Sequence, residues 1–91
     1  MADPPIRVEG TPNPNAAKFV LDRNALGGEG RTYFDPAAAE GDPLADRLFR
    51  VDGVRALFMV ENFITVTKAA DVAWDEIVEE ILCAIREELT E

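Results

Sequence analysis

The chain has 91 residues, 18 acids against 9 bases and a formal net charge of -9, with 47% hydrophobic residues. That length suits one domain spanning residues 1–91, in which folding hides roughly 60–65% of the unfolded surface and leaves little room for a deep, walled active site. The hydrophobic content excludes a disordered acidic tail, and the negative field argues against nucleic acid and anionic membranes as partners.

Met1 to Pro5 has neither a basic nor an apolar leader region, so no signal peptide is expected. Ile6 to Gly10 alternates as a short strand. Thr11-Pro12-Asn13-Pro14-Asn15 follows, and its prolines lack backbone donors, so it reads as a stiff connector outside any sheet. Ala17 to Leu21 is a second strand, with Phe19 and Leu21 on one face and Lys18 and Val20 on the other. Leu26-Gly27-Gly28-Glu29-Gly30 is a loop without the GK[ST] ending of a phosphate cradle. Arg31 to Phe34 is a third strand, with Tyr33 and Phe34 expected to pack at the sheet edge.

Asp35-Pro36 and Asp42-Pro43 each place a capping carboxylate before a proline at the first helical position. The first opens a short turn through Ala37, Ala38 and Ala39. The second opens a helix with Leu44, Leu48 and Val51 on one side and Gly53 as its stop. Val54 to Val60 and Phe63 to Lys68 form a hairpin around Glu61-Asn62. Asp71 is expected to cap a last helix running to Leu89. Its apolar stripe is Trp74, Ile77, Val78, Ile81, Leu82 and Ile85. The expected fold is therefore α+β in two layers: a mostly antiparallel five-stranded sheet with two main helices on one face, in the order β-β-β-α-β-β-α.

The chain contains no histidine and no serine, which removes the commonest general base, the commonest metal ligand and seryl catalysis. Cys83 is the only thiol. It projects opposite the apolar stripe, among Glu76, Glu79, Glu80 and Glu87, where negative charge disfavours thiolate. One cysteine cannot fill a cluster site that takes four thiolates. No catalytic residue, metal site or cofactor is expected. The single cysteine fits a reducing compartment, and the cytoplasm is the expected location.

The stretch Thr11-Pro12-Asn13-Pro14-Asn15-Ala16-Ala17-Lys18-Phe19 resembles the TPNPNALKF opening of the N-terminal domain of Nfu/NifU-type scaffold proteins. Pro43-Leu44-Ala45, Leu48-Phe49 and Gly53-Val54 are similar to the PLA..LF...GV segment of that family, and Phe63-Ile64-Thr65-Val66-Thr67-Lys68 with Trp74 to its FITVTK…W stretch. The likeness runs from about residue 6 to residue 86. It implies an accessory role in iron–sulfur cluster assembly. Full-length members add a CxxC domain that carries a bridging cluster, and this sequence has no CxxC. What the resemblance implies here is contact with assembly factors or apo-clients, through candidate binding residues Asn13, Asn15 and Lys18 at the opening motif and Arg55 and Lys68 on the hairpin. The alternative is a general module that reads acidic or phosphorylated peptides, which requires Arg7, Lys18, Arg23, Arg31, Arg55 and Lys68 to cluster on the open sheet face. No linker-like tail follows the last helix, so these residues are expected to be the whole product.

Overall fold

Alternating apolar residues and two Asp-Pro caps lead to the expected order of elements in the computed structural model, which describes residues 6–21, 26 and 28–89. Arg23 and Gly27 lie outside the described residues. The strands are β1 (Ile6–Gly10), β2 (Ala16–Leu21), β3 (Arg31–Tyr33), β4 (Val54–Val60) and β5 (Phe63–Lys68). They form a sheet in the order β1-β2-β5-β4-β3, with every neighbouring pair antiparallel. A single 3₁₀ turn, Ala37–Ala39, precedes α1 (Pro43–Phe49), and α2 (Trp74–Leu89) closes the fold.

Strand alternation separates the two faces of the sheet. Phe19, Leu21, Leu57, Met59, Ile64 and Val66 point to the helices and are buried. Against them α2 sets Ile77, Ile81, Ala84 and Ile85, and α1 sets Leu44, Ala45 and Leu48, all buried in the same cluster. Trp74, Val78 and Leu82 lie half-buried along one side of α2. The opposite side meets α1 through an ion pair of Arg47 with Glu87 at 2.6 Å.

Both Asp-Pro pairs act at their expected places. Asp35 Oδ1 accepts from Ala38 N at 2.8 Å, and Asp42 Oδ1 accepts from Ala45 N at 3.2 Å as the N-cap of α1. Asp42 also ties the short edge strand β3 to this cap. Its Oδ2 accepts from Arg31 Nη1 at 2.8 Å and from the Tyr33 hydroxyl at 3.0 Å. Arg31 and Tyr33 stand opposite Met59 and Leu57, which places them on the helix side.

Three local expectations need correction. The sheet pairing ends at Tyr33, so Phe34 leaves the edge and is 76% exposed. α2 starts at Trp74, not directly after Asp71. Val72 N donates to Ala69 O at 3.2 Å, and this extra turn packs Val72 on the core before the helix begins. Gly53 lies past Arg50, the C-cap of α1, and its work is to turn the chain into β4 with φ +99°.

A Cβ at Gly53 would sit 2.9 Å from Val72 Cγ2. Gly53→Ala combines this clash with a left-handed φ that side chains resist. It is expected to lower unfolding stability by about 1–3 kcal/mol in urea titrations. A loss below a few tenths would show that the turn relaxes freely.

Candidate functional site

Prolines at positions 12 and 14 leave the connector between β1 and β2 short of backbone donors, and side chains supply the missing order. Asn13 Oδ1 accepts from Asn15 N at 2.9 Å, and Asn13 O accepts from Ala16 N at 3.0 Å. The Thr11 hydroxyl lies 2.9 Å from Asn13 O and 3.0 Å from Ala16 O, and its one proton serves one of them at a time. The connector is thus a built turn with a fixed shape.

This turn is fastened to the end of β5 and the start of α2. Lys68 N donates to Asn15 O at 2.7 Å, and Lys68 Nζ donates to Asn15 Oδ1 at 3.1 Å and to Ala69 O at 3.2 Å. The same ammonium lies 5.6 Å from the centroid of the Trp74 ring. Trp74 Nε1 in turn donates to Pro14 O at 3.1 Å, and its ring packs at a tilt on Phe19 at 6.4 Å. Lys68 is only 7% exposed. The carbonyl oxygens and the aromatic face around its charge replace much of the water it gives up.

The structure therefore brings together Asn13, Asn15 and Lys68, and leaves Lys18 and Arg55 apart. Lys18 lies on the open face, with Nζ 4.2 Å from the Phe63 centroid. Arg55 is exposed at the β-bulge of β4, between Val54 and Ala56. Among the described residues the candidate cations are divided between the two faces of the sheet. Arg31 and Lys68 lie on the helix side, and Arg7 pairs with Glu9 at 3.1 Å. In their place the open face carries Val20, Phe58, Val60 and Phe63, with the two phenyl rings 5.9 Å apart.

Beside the turn runs a groove of about 330 Å³ between β1 and α2. Val8 and Gly10 form one wall, Trp74 and Val78 the other, Ala17 the floor, and Thr11, Asn13 and Pro14 close one end. Val8 faces the helix layer, since it stands opposite buried Phe19, yet it is 46% exposed. α1 occupies the β4 side of that layer, so β1 is left with the flank of α2 alone. The sequence pattern marked Trp74 as a core anchor. Its half-exposed position and its bond to Pro14 appear only when the turn is folded.

Cys83 is exposed on the far side of α2, and its thiol donates to Glu87 Oε2 at 3.4 Å. That hydrogen bond and the carboxylate charge push the thiol above its ordinary range, while the bond from Arg47 holds Glu87 below the usual carboxylate range. A raised thiol carries less thiolate at any pH below its titration, so alkylation by iodoacetamide at mildly alkaline pH is expected to be slow. Glu87→Gln should speed alkylation and move its pH profile to lower pH. An unchanged profile would refute the contact. Among the described residues no group of three or more His, Cys, Asp or Glu is placed to hold a metal ion.

The profile of the family described as "Scaffold protein Nfu/NifU N terminal" matches residues 6–91. The Drosophila persimilis protein named NFU1 iron-sulfur cluster scaffold homolog, mitochondrial, is 43% identical over 82 residues, which cover 88% of this chain and 29% of the relative. The Homo sapiens protein of the same name is 44% identical over 63 residues, 69% of this chain and 25% of the relative. The chain thus spans less than a third of the length of these curated relatives. Among solved structures, a NifU-like protein from Saccharomyces cerevisiae superposes with a TM-score of 0.78 at 26% identity, covering 96% of this chain and 79% of that one. Protein SAV1430 from Staphylococcus aureus gives 0.74 at 27% identity, covering 88% and 96%. The relatives named mitochondrial overturn the expectation of a cytoplasmic location. The physical reason is that a lone thiol argues only against an oxidising compartment and does not distinguish one reducing compartment from another.

Proposed function

From the premise that the chain belongs to the Nfu/NifU N-terminal family, we propose that it is a non-catalytic protein-binding module in iron–sulfur cluster assembly or delivery. It contacts assembly factors or apo-clients and leaves cluster ligation to another domain or protein. The observation that carries this reading is the signature turn. The family motif residues Thr11 to Asn15 build a fixed corner against Lys68 and Trp74, and that corner ends an uncovered apolar groove. A single thiol, pushed toward its protonated form, supports leaving the cluster ligands elsewhere.

Asn13 sits at the mouth of the groove, while Asn15 and Lys68 hold the corner in shape. Lys18 and Arg55 would contribute to partner contact from other surfaces. Residues 1–91 act as one unit in this reading. The peptide-reading alternative loses its support, because its cations are divided between the two faces.

Anaerobic affinity capture from a mitochondrial extract, with the chain as bait, tests the proposal. Iron–sulfur assembly factors or apo-clients are the expected catch. Recovery confined to phosphorylated or unrelated proteins would refute it.

A further inference from the structure

β1 is an edge strand, and its outer side is open. Along β2, Leu21 N donates to Asn62 O and Asn15 O accepts from Lys68 N, so residues 15, 17, 19 and 21 direct their backbone groups to β5. Alternation then turns the backbone of residues 16, 18 and 20 to β1, where Arg7 and Glu9 meet Val20 and Lys18. The N–H and C=O groups of Ile6, Val8 and Gly10 therefore point away from the sheet. Among the described residues none is recorded as hydrogen-bonding to that side.

The same Val8 whose backbone faces outward sends its side chain into the groove beside Trp74 and Val78. An unpaired strand edge and an adjoining apolar groove form one continuous surface. The edge supplies main-chain hydrogen bonds and the groove takes alternate side chains, which are the two requirements of strand addition. The open face carries its aromatic side chains on the inner strands β4 and β5, and the edge nearest them, β3, is only three residues long.

Charge identifies the occupant. At about 100° per residue, Asp75 and Glu79 fall on the flank of α2 that carries Trp74 and Val78, and both are exposed. Glu9 borders the β1 side, but its carboxylate is on the open face and paired with Arg7 at 3.1 Å, so the acidic rim is the flank of α2. A second copy of the chain would bring another net charge of -9 to this edge, against electrostatic repulsion. A basic segment is attracted.

We infer that β1 accepts an extended segment of a partner protein as an added strand, with apolar side chains entering the groove and basic side chains meeting the acidic flank of α2. This rests on the protein-binding reading above and names the chemistry of the partner segment. It is independent of whether that partner belongs to iron–sulfur assembly.

Trp74 is the only tryptophan in the chain and lines the groove, so its emission reports occupancy. The probe is a short capped peptide alternating lysine and valine, titrated into the 91-residue chain at physiological salt. Saturable binding is expected, with a shift of Trp74 emission and of the Ile6, Val8 and Gly10 amide resonances. A peptide N-methylated on the amides that would face β1 is expected to bind at least about tenfold more weakly, having lost one or more strand hydrogen bonds. N-methylation alters the probe only, so the protein fold is not at risk. Val8→Pro removes the matching donor on the chain and should weaken binding similarly.

No saturable response, equal binding by the N-methylated peptide, or equal binding by a peptide of the same composition with lysines and valines in separate blocks would overturn the inference. So would a concentration-dependent dimer in sedimentation that Val8→Pro abolishes, since the edge would then belong to a second copy. If the peptide binds as expected while anaerobic capture yields no iron–sulfur protein, strand addition stands and the assembly role falls. The reverse pair of results leaves the assembly role and removes this edge from it.

Discussion

Ile81→Asp is expected to leave the chain unfolded at room temperature. Ile81 is fully buried in the middle of α2, within the cluster that contains Phe19, Leu48, Met59 and Ile64. Truncating such a side chain alone costs about 2–5 kcal/mol. A carboxylate there would also be buried without a partner, which adds several kcal/mol or forces its protonation. A domain of this size holds on the order of 5–10 kcal/mol in total. Far-UV circular dichroism should show loss of cooperative structure, while Ile81→Val should cost about 1 kcal/mol. A cooperative melt of Ile81→Asp near the parent midpoint would show that α2 is not the main packing element.

Lys68→Glu should be the next most damaging single change. The ammonium is surrounded by oxygen acceptors from Asn15 and Ala69 and by the Trp74 ring, all favourable to a cation. A glutamate at this buried position meets those oxygens as an anion, gives them no proton, and faces the negative side of the ring. The expected loss is about 3–5 kcal/mol in urea unfolding, with a shifted Trp74 emission in the folded state. Lys68→Met keeps the stem and loses the hydrogen bonds, for about 1.5–3 kcal/mol. Coupling with Asn15→Ala in a double-mutant cycle separates the contact from the burial. If Lys68→Glu costs under 1 kcal/mol, the corner is solvated and the turn is not held as described.

These effects bear on function through the turn. In the proposed reading Asn15 and Lys68 act on partner binding through the shape of the corner. They hold Pro14 and Trp74 in place, and so fix the end of the groove. Variants at the two positions are expected to reduce binding in proportion to lost corner structure, whereas changes at Val8 act on the edge itself.

Much of this was legible in the sequence, and the parts that were not have definite causes. Alternation put Phe19 with Leu21 and Ile64 with Val66 on shared faces, which the structure buries, and the Asp42-Pro43 pair located the start of α1. The same parity puts Lys68 on the face of Ile64 and Val66, so its burial was available in the pattern. A place for Lys68 on the open sheet face, which the peptide-reading alternative requires, runs against that parity. The helical projection put Cys83 opposite the buried stripe, where it is found. The sequence did not give the sheet order, because antiparallel strands of similar composition pair in several ways. The groove follows from that order, since α2 alone flanks the β1 end of the helix-side face. Phe34 was misplaced because strand propensity continues one residue past the end of pairing.

Iron bound per chain after anaerobic reconstitution with ferrous iron and sulfide tests the central claim most directly. A protein-binding module whose one thiol cannot supply a cluster's ligands should return, after desalting, to a folded chain with no iron or acid-labile sulfide. When it is mixed with a captured partner, iron should elute with the partner. A stoichiometric cluster that stays with the isolated chain would contradict the account.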